Sequence, residues 1–268
     1  MTKTDPLPHW SEIAVEAALK GGAVLKKYWG NLTVIKEKEY PGDLVTEADR
    51  QSEQAVLAHL KKSFPDHQLL AEESGLYQPE SSFLWAVDPL DGTTNYTHQY
   101  PMAAVSIGLV ADGEPLIGVI YNPFSNEMFR AAKGCGAKLN DQPIKVSVIE
   151  TLGKSLLATG FAYDRRETKD NNYAEFCRLT NLTQGVRRAG AASLDLAYVA
   201  CGRLDGYWER GLKPWDVAAG IILVREAGGA VTNYDLKPVN INSGRILASN
   251  GLLQTAISQE LQLLASSG

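Results

Sequence analysis

Cysteine and histidine are scarce in this chain of 268 residues, which has three cysteines and four histidines. The cysteines, Cys135, Cys177 and Cys201, are scattered and odd in number, so they provide neither a disulfide framework nor the spacing of a zinc site. The histidines are not spaced as metal ligands either. We therefore expect a protein of a reducing, cytoplasmic environment.

Long apolar runs and basic runs are also lacking. No stretch approaches the ~20 apolar residues that cross a bilayer, and residues Met1–His9 lack the apolar segment of a secretory signal. The formal net charge is −5 and no basic stripe is present, which argues against nucleic acid as a partner. The length is sufficient for one large or two small domains with a substantial core.

The first half of the chain has an α+β pattern, which we assign to residues 1–147. Helical spacing of apolar residues predicts helices from Trp10 to Tyr28 and from Thr46 to about Ser63. Short apolar runs predict five strands: Gln68–Ala71, Phe83–Asp88, Met102–Val110, Leu116–Asn122 and Glu127–Ala132. The turn Ala111–Glu114 makes the third and fourth strands an antiparallel hairpin.

The second half, residues 148–268, has an α/β pattern in which strands and helices alternate. The predicted strands are Leu156–Thr159, Tyr207–Trp208, Ala230–Asn233 and Ile246–Ser249. The predicted helices are Asn172–Thr180, Ala192–Cys201, Trp215–Ala227 and Leu252–Ala265.

The most informative segment is Trp85–Tyr96, where a buried strand meets two carboxylates, Asp88 and Asp91. Pro89 cannot donate a ladder hydrogen bond, so we expect the strand to end there. Gly92 permits a tight turn into a short helix. Carboxylates bind hard divalent cations and free N–H groups bind phosphate oxygens, so the segment indicates a metal-dependent phosphate site. The alternative is an ordinary Asp-Gly turn.

Two further acidic groups stand at the ends of apolar elements. Glu72 follows the strand Gln68–Ala71, and Asp216 opens an apolar helix. The helix dipole alone would explain Asp216, and Glu72 and Glu73 could simply be solvated, Glu73 as an exposed neighbour. If these acids gather with the pair after Trp85, they repel each other unless cations neutralise them.

In these segments the chain resembles the inositol monophosphatase family, lithium-sensitive and magnesium-dependent phosphatases. The resemblance covers nearly the whole chain and rests on four stretches: Asp43–Asp49, Ala71–Ser74, Asp88–Asn95 and Trp215–Gly220. It implies that the α+β and α/β halves pack into a layered α-β-α-β-α sandwich of the sugar-phosphatase type. The metal site would then lie between the halves.

The resemblance also implies a ligand set for two or three Mg²⁺ ions, with Mn²⁺ as a substitute. The implied ligands are the side chains of Glu72, Asp88, Asp91 and Asp216 and the carbonyl of Leu90, with Asp88 bridging two ions. Such an all-oxygen set suits Mg²⁺ and disfavours zinc.

By the same resemblance, Glu72 and Thr93 would activate a water, with Asp49 in support, and the N–H groups of Gly92 and Thr93 would bind the phosphate. The pair Thr46 and Asp49 also approximates a helix capping box, which needs no catalytic role. Asp49 can cap the helix and support the activation of water at the same time.

Substrate contacts are implied for Asp91, Glu209 and the backbone of Gly190, Ala191 and Ala192. A solvated strand end would equally explain Glu209, and tight packing would explain the small residues. Lys38 and Asp43 lie where members of the family have a mobile loop that helps bind a further, weaker ion. The alternative is a solvated run of charges. For Arg187 and Arg188, which precede Gly190, we expect a structural ion pair, and contact with an anionic partner is the alternative.

We therefore expect a hydrolase, a cytoplasmic homodimer that acts on a small-molecule phosphate ester, without nucleic acid or membrane. Inositol monophosphates are the favoured substrates. The alternatives are fructose 1,6-bisphosphate, galactose 1-phosphate, histidinol phosphate or a 3′-phosphoadenosine nucleotide, and beyond these a non-catalytic metal- or phosphate-sensing module.

Overall fold

The computed structural model describes residues 6–77 and 80–265, which form helices and three sheets. The α-helices are α1 (Leu7–Tyr28), α2 (Glu47–Ser63), α3 (Thr93–Thr97), α4 (Tyr173–Leu182), α5 (Ala192–Ala200), α6 (Pro214–Glu226) and α7 (Gln254–Ala265). Short 3₁₀ turns lie at Leu152–Lys154 and Tyr163–Arg166. In these ranges no helix combines the length and the apolar character that crossing a membrane requires.

The first half contributes a small hairpin and a large sheet. The hairpin pairs β1 (Ile35–Glu37) with β2 (Leu44–Thr46). The large sheet has eight strands: β3 (Gln68–Ala71), β4 (Gly75–Tyr77), β5 (Phe83–Asp91), β6 (Ala104–Ala111), β7 (Glu114–Asn122), β8 (Glu127–Ala132), β9 (Ala137–Leu139) and β10 (Gln142–Ile144). Their order is β10-β9-β8-β7-β6-β5-β3-β4, and only the pairing of β3 with β5 is parallel. The predicted hairpin of β6 and β7 is confirmed.

The second half contributes a five-stranded mixed sheet. Its strands are β11 (Leu156–Thr159), β12 (Gly185–Arg187), β13 (Gly206–Arg210), β14 (Ala230–Thr232) and β15 (Arg245–Ser249). Their order is β12-β11-β13-β15-β14. Strand β11 runs parallel to both β12 and β13, so the carboxyl ends of β11 and β13 lie side by side.

The elements stack as the predicted α-β-α-β-α sandwich. Helices α1 and α2 pack on one face of the large sheet, and α5 and α6 lie between the two sheets. Helices α4 and α7 cover the outer face of the five-stranded sheet, around the buried ring of Trp208. The predicted layered fold is confirmed.

Helix α6 approaches the large sheet through two glycines. A Cβ on Gly108 would lie 2.6 Å from the Cβ of Ala218, and one on Gly118 would lie 2.3 Å from the carbonyl of Ala219. A helix of the second half therefore packs directly on the sheet of the first. The division into units 1–147 and 148–268 stays a prediction.

Pro89 does not end its strand, so that expectation is wrong. Strand β5 continues to Asp91, which pairs with Ala104, and the register shifts between Asp88 and Asp91. Proline is tolerated at such a bulge because no ladder N–H is needed there. The Pro89 carbonyl instead accepts a hydrogen bond from the Ser52 hydroxyl at 2.8 Å.

Every predicted helix and strand overlaps an observed one. Sequence analysis missed β1, β2, β4, β9, β10 and β12, each only three residues long. A three-residue strand is too short to display a hydrophobic period, so the pattern contains no signal for it.

Candidate active site

A cavity of about 820 Å³ lies between the two halves and is lined from both. Among its lining residues are most of those that the sequence singled out: Lys38, Asp43, Glu72, Asp88, Leu90, Asp91, Gly92, Thr93, Gly190, Ala192, Glu209 and Asp216. Asp49 and Ala191 are buried outside this lining, at 0% and 1% exposure.

The bulge in β5 decides where Asp88 and Asp91 point. In a regular strand, residues three apart face opposite sides of the sheet. Because the register shifts between them, both carboxylates reach the cavity. Asp88 Oδ1 accepts a hydrogen bond from the N–H of Leu90 at 2.9 Å. Asp91 Oδ2 accepts one from the N–H of Ser193 at 2.8 Å and one from its hydroxyl at 2.5 Å.

Glu72 and Asp216 complete a group of four acids whose charges affect each other. Burial, followed by the charges of Glu72, Asp91 and Asp216, raises the pKa of Asp88 well above its usual value. Burial likewise raises the pKa of Asp216, although the N–H of Lys213 donates to its Oδ2 at 2.7 Å. Four carboxylates from three distant segments therefore destabilise each other's ionised forms.

Lys38 reaches this acidic group from the β1–β2 hairpin. Its Nζ lies 2.7 Å from Oε1 of Glu72 and 2.6 Å from Oε1 of Glu73. Burial raises the pKa of Glu72 to about 7, and the Lys38 charge opposes that shift. The side chain of Glu73 is only 12% exposed, so its interpretation as an exposed neighbour is wrong. The N–H of Lys38 also donates to the Asp43 carbonyl at 2.7 Å, which closes the loop.

The donor chemistry of the four acids fits a hard divalent cation. All four offer carboxylate oxygens, and Asp88, Asp91 and Asp216 have no lysine or arginine partner among the described residues. A bound cation would offset the repulsion that raises their pKa values. As these side chains stand, no group of three or more His, Cys, Asp or Glu residues in the described ranges is arranged to hold a metal ion.

Asp49 joins the cavity to the start of α2. Its Oδ2 accepts hydrogen bonds from the N–H of Thr46 at 2.8 Å and from the Thr46 hydroxyl at 2.6 Å, and the predicted capping box is confirmed. Its Oδ1 lies 3.1 Å from the hydroxyl of Thr93. Burial raises the pKa of Asp49 to about 6, and the hydrogen bonds from Thr46 oppose the shift. The cap thus presents one carboxylate oxygen to the site.

The turn after Asp91 has a left-handed backbone conformation, which glycine adopts readily. Gly92 has φ +87° and precedes the five-residue helix α3. A Cβ on Gly92 would lie 2.7 Å from the carbonyl of Met102, so a larger residue is excluded by space as well as by φ. The Thr93 hydroxyl also lies 3.0 Å from the Leu90 carbonyl, the backbone oxygen implied as a ligand.

The opposite wall of the cavity comes from the second half. Gly190 and Ala192 line it at the start of α5, whereas Ala191 turns its side chain inward against Gly92. Glu209, on β13, accepts a hydrogen bond from the Tyr207 hydroxyl at 2.5 Å. Burial raises the pKa of Glu209 to about 7, and the Tyr207 hydrogen bond opposes the shift.

Several residues of the site escaped sequence analysis. Ser193 is the main donor to Asp91, yet it lies 102 residues away and has no motif of its own. Tyr163 also lines the cavity, as does Arg188, which the sequence had singled out for another role. The expected structural ion pair of Arg187 and Arg188 is not found in residues 6–77 and 80–265, although the charge of Arg188 acts to lower the pKa values of the nearby acids Asp195 and Glu209.

Comparisons with known proteins agree on one family. The profile of the inositol monophosphatase family matches residues 7–265. Inositol-1-monophosphatase of Synechocystis sp. is 59% identical over 256 residues, which cover 95% of this chain and 89% of that protein. Nus factor SuhB of Pseudomonas aeruginosa is 42% identical over 244 residues, which cover 89% and 90%. The solved inositol monophosphatase of Anabaena (Nostoc) sp. superposes with a TM-score of 0.90 at 56% identity, covering 97% of each chain.

Proposed function

Because the chain belongs to the inositol monophosphatase family, a family of phosphatases, we propose that it hydrolyses inositol monophosphates to inositol and phosphate with Mg²⁺. The observation that carries this proposal is the convergence of Glu72, Asp88, Asp91 and Asp216 on one cavity. Thr93 lines the same cavity, and its hydroxyl lies 3.0 Å from the Leu90 carbonyl. A site for phosphate esters needs all of these parts together.

The four carboxylates and the carbonyl of Leu90 are the groups that would hold Mg²⁺, or Mn²⁺ in its place. When bound, the ions supply positive charge that polarises the phosphate and its attacking water. Lys38 competes for Glu72 in this arrangement, because its Nζ already donates to Oε1. We propose that the Lys38–Asp43 loop adjusts the charge beside this ligand.

The chain's own groups would orient the water and the phosphate. Asp49 Oδ1 accepts the hydrogen bond of the Thr93 hydroxyl, so the oxygen of Thr93 keeps its lone pairs free for a water proton. A carboxylate oxygen of Glu72 would accept the second proton. The N–H groups of Gly92 and Thr93, at the start of α3, would donate to the phosphate oxygens. This arrangement needs no covalent intermediate.

The second half would hold the inositol ring. Glu209 accepts hydrogen bonds and so matches the hydroxyls of a polyol, and Asp91 and the backbone of Gly190, Ala191 and Ala192 would supply further contacts to the substrate. A homodimer and sensitivity to lithium belong to the same proposal, because the family resemblance implies them, and a cytoplasmic location is proposed from the few, scattered cysteines.

One observation favours a second substrate. Arg188 lines the cavity and has no ion pair within the described part of the chain. A guanidinium in that position matches a second phosphate group. Fructose 1,6-bisphosphate carries one, whereas galactose 1-phosphate and histidinol phosphate do not. A 3′-phosphoadenosine nucleotide also carries one, but that branch usually has Lys where this chain has Thr94.

The experiment is a panel of these phosphate esters at one Mg²⁺ concentration, with released phosphate as the readout. Asp91→Asn should lower turnover on every ester by at least about 100-fold, which is the scale of removing one group that stabilises transition-state charge. Asp112→Asn, on the β6–β7 turn, is the matched control and should retain turnover. A folded protein that binds Mg²⁺ but releases no phosphate from any ester would indicate a sensing module instead.

A further inference from the structure

The carboxyl group of Glu209 is held by one hydroxyl. Tyr207 is fully buried, and its hydroxyl donates to Glu209 Oε2 at 2.5 Å. Residues two apart on a strand lie on the same face, so β13 itself brings the pair together. Among the described residues no other hydrogen bond to this carboxyl is found, which leaves Oε1 available to a ligand in the cavity.

Gly160 forms the surface on which this carboxyl rests. A Cβ on Gly160 would lie 2.0 Å from Oε2, 2.2 Å from Cδ and 2.2 Å from Oε1 of Glu209. Strands β11 and β13 run parallel with Thr159 beside Trp208, so Gly160 follows directly next to Glu209. The carboxyl of Glu209 therefore fills the space that any side chain at position 160 would need.

The backbone at Gly160 is itself fixed by a buried polar cluster. Asn172 Nδ2 donates to the Gly160 carbonyl at 2.7 Å and lies 2.8 Å from the Thr159 hydroxyl oxygen. Asn172 Oδ1 accepts a hydrogen bond from Trp208 Nε1 at 2.7 Å, and the Thr159 hydroxyl donates to the Trp208 carbonyl. Because this cluster ties β11 to β13, a side chain at position 160 would displace the carboxyl of Glu209 rather than the strand.

The buried acid Asp195 lies near Glu209, so the Tyr207 hydrogen bond is needed to hold the Glu209 carboxyl in place. Asp195 is 2% exposed, its Oδ1 has no hydrogen-bond partner among the described residues, and the charge of Glu209 helps burial to raise its pKa. Two buried carboxyls repel each other when ionised. A donated hydrogen bond opposes that repulsion and keeps the Glu209 carboxyl in one orientation.

We propose that Tyr207 and Gly160 are positioning residues that aim Glu209 Oε1 at the substrate and so set the preference for polyol phosphates. The inference rests on the proposed function, in which Glu209 contacts a ring hydroxyl. Tyr207 supplies the hydrogen bond, and Gly160 supplies the space. In the proposed function neither residue would contact the phosphate group.

The test compares inositol 1-phosphate with phenyl phosphate, which has no ring hydroxyls. Tyr207→Phe removes only the hydroxyl, and Gly160→Ala adds only the Cβ that meets the carboxyl. Each should lower the ratio of kcat/KM for inositol 1-phosphate to that for phenyl phosphate by about fivefold to tenfold, the scale of one hydrogen bond. The change should lie mainly in KM for inositol 1-phosphate.

Tyr121→Phe is the matched control, since its buried hydroxyl donates to Asn126 Oδ1 far from β13; it should keep the wild-type ratio. In a Glu209→Ala background, Tyr207→Phe and Gly160→Ala should change the ratio no further. If Glu209→Ala lowers the ratio but neither positioning variant does, the inference is wrong and the substrate contact stands. If Glu209→Ala leaves the ratio unchanged, both the inference and the proposed contact between Glu209 and the substrate are wrong.

Discussion

The hydroxyl of Thr93 lies 3.1 Å from Oδ1 of Asp49, although the two residues are 44 positions apart in the chain. Asp49 uses its other oxygen to complete the capping box of α2 with Thr46. One carboxylate therefore serves the end of a helix and the edge of the cavity. In the proposed function Asp49 would contribute to both stability and catalysis, and substitutions of its two partners, Thr46 and Thr93, should separate the two contributions.

Thr93→Val should lower kcat by about 100-fold, the scale of losing a group that positions a reacting proton, because the hydroxyl is removed at nearly constant shape. Thr46→Ala should instead lower the free energy of unfolding by about 1 kcal/mol through loss of the cap. Phosphate release and urea unfolding, measured on both variants, check the two effects. Equal losses of kcat in both variants would mean that Thr93 acts only through the cap.

Mg²⁺ should stabilise the fold, because it offsets the repulsion among Asp88, Asp91, Asp216 and Glu72. At 100 times its dissociation constant, a ligand that binds only the folded state adds about 2.7 kcal/mol, or a rise in Tm of about 5–10 °C for a chain of this length. Asp216→Asn should reduce this rise, and Asp112→Asn should retain it. Scanning calorimetry with Mg²⁺ and with a chelator measures the difference; an unchanged Tm would contradict the ligand set.

Glu209 should make the protein more stable as the pH falls from 7 towards 4.5. Its pKa is raised by burial to about 7 in the folded state, from an ordinary value of 4.5. Between these values the folded state holds a proton that the unfolded state lacks, so this stabilisation is complete below pH 4.5 and is lost as the pH rises through 7. It amounts to at most about 3 kcal/mol.

Urea unfolding over that pH range, with chelator present, measures this contribution of Glu209. Glu209→Gln should flatten the pH dependence relative to the wild type, whereas Glu150→Gln, at an exposed position, should not. Parallel curves for the wild type and Glu209→Gln would show that Glu209 ionises normally in the folded protein.

Arg188 should decide between the two candidate substrates. Arg188→Gln should lower the ratio of kcat/KM for fructose 1,6-bisphosphate to that for inositol 1-phosphate by about 10- to 100-fold, because a hydrogen bond to a charged group contributes about 1.5–3 kcal/mol. Arg166→Gln, a second arginine of the lining, is the comparison variant and should have a smaller effect. A ratio that Arg188→Gln leaves unchanged would remove the reason for favouring a bisphosphate.

Much of the fold could be predicted because its signals are local. The periods of apolar residues located every long helix and strand, and the capping box at Thr46 was visible in four consecutive residues. Acids at the ends of buried elements were equally visible. The expectation that the strand ends at Pro89 was wrong. A bulge depends on pairing with the neighbouring strand, and the residues of β6 lie outside the segment around Pro89.

By itself, the sequence determined which acids stand at the ends of apolar elements, since that depends only on neighbours along the chain. Only the tertiary structure decided which groups face those acids: Lys38 against Glu72, Ser193 against Asp91, and Gly160 beneath Glu209. Hydrogen bonds and charge interactions act over a few ångströms in space. The partners that set each acid's ionisation and orientation come from segments that only the packed layers bring within that range.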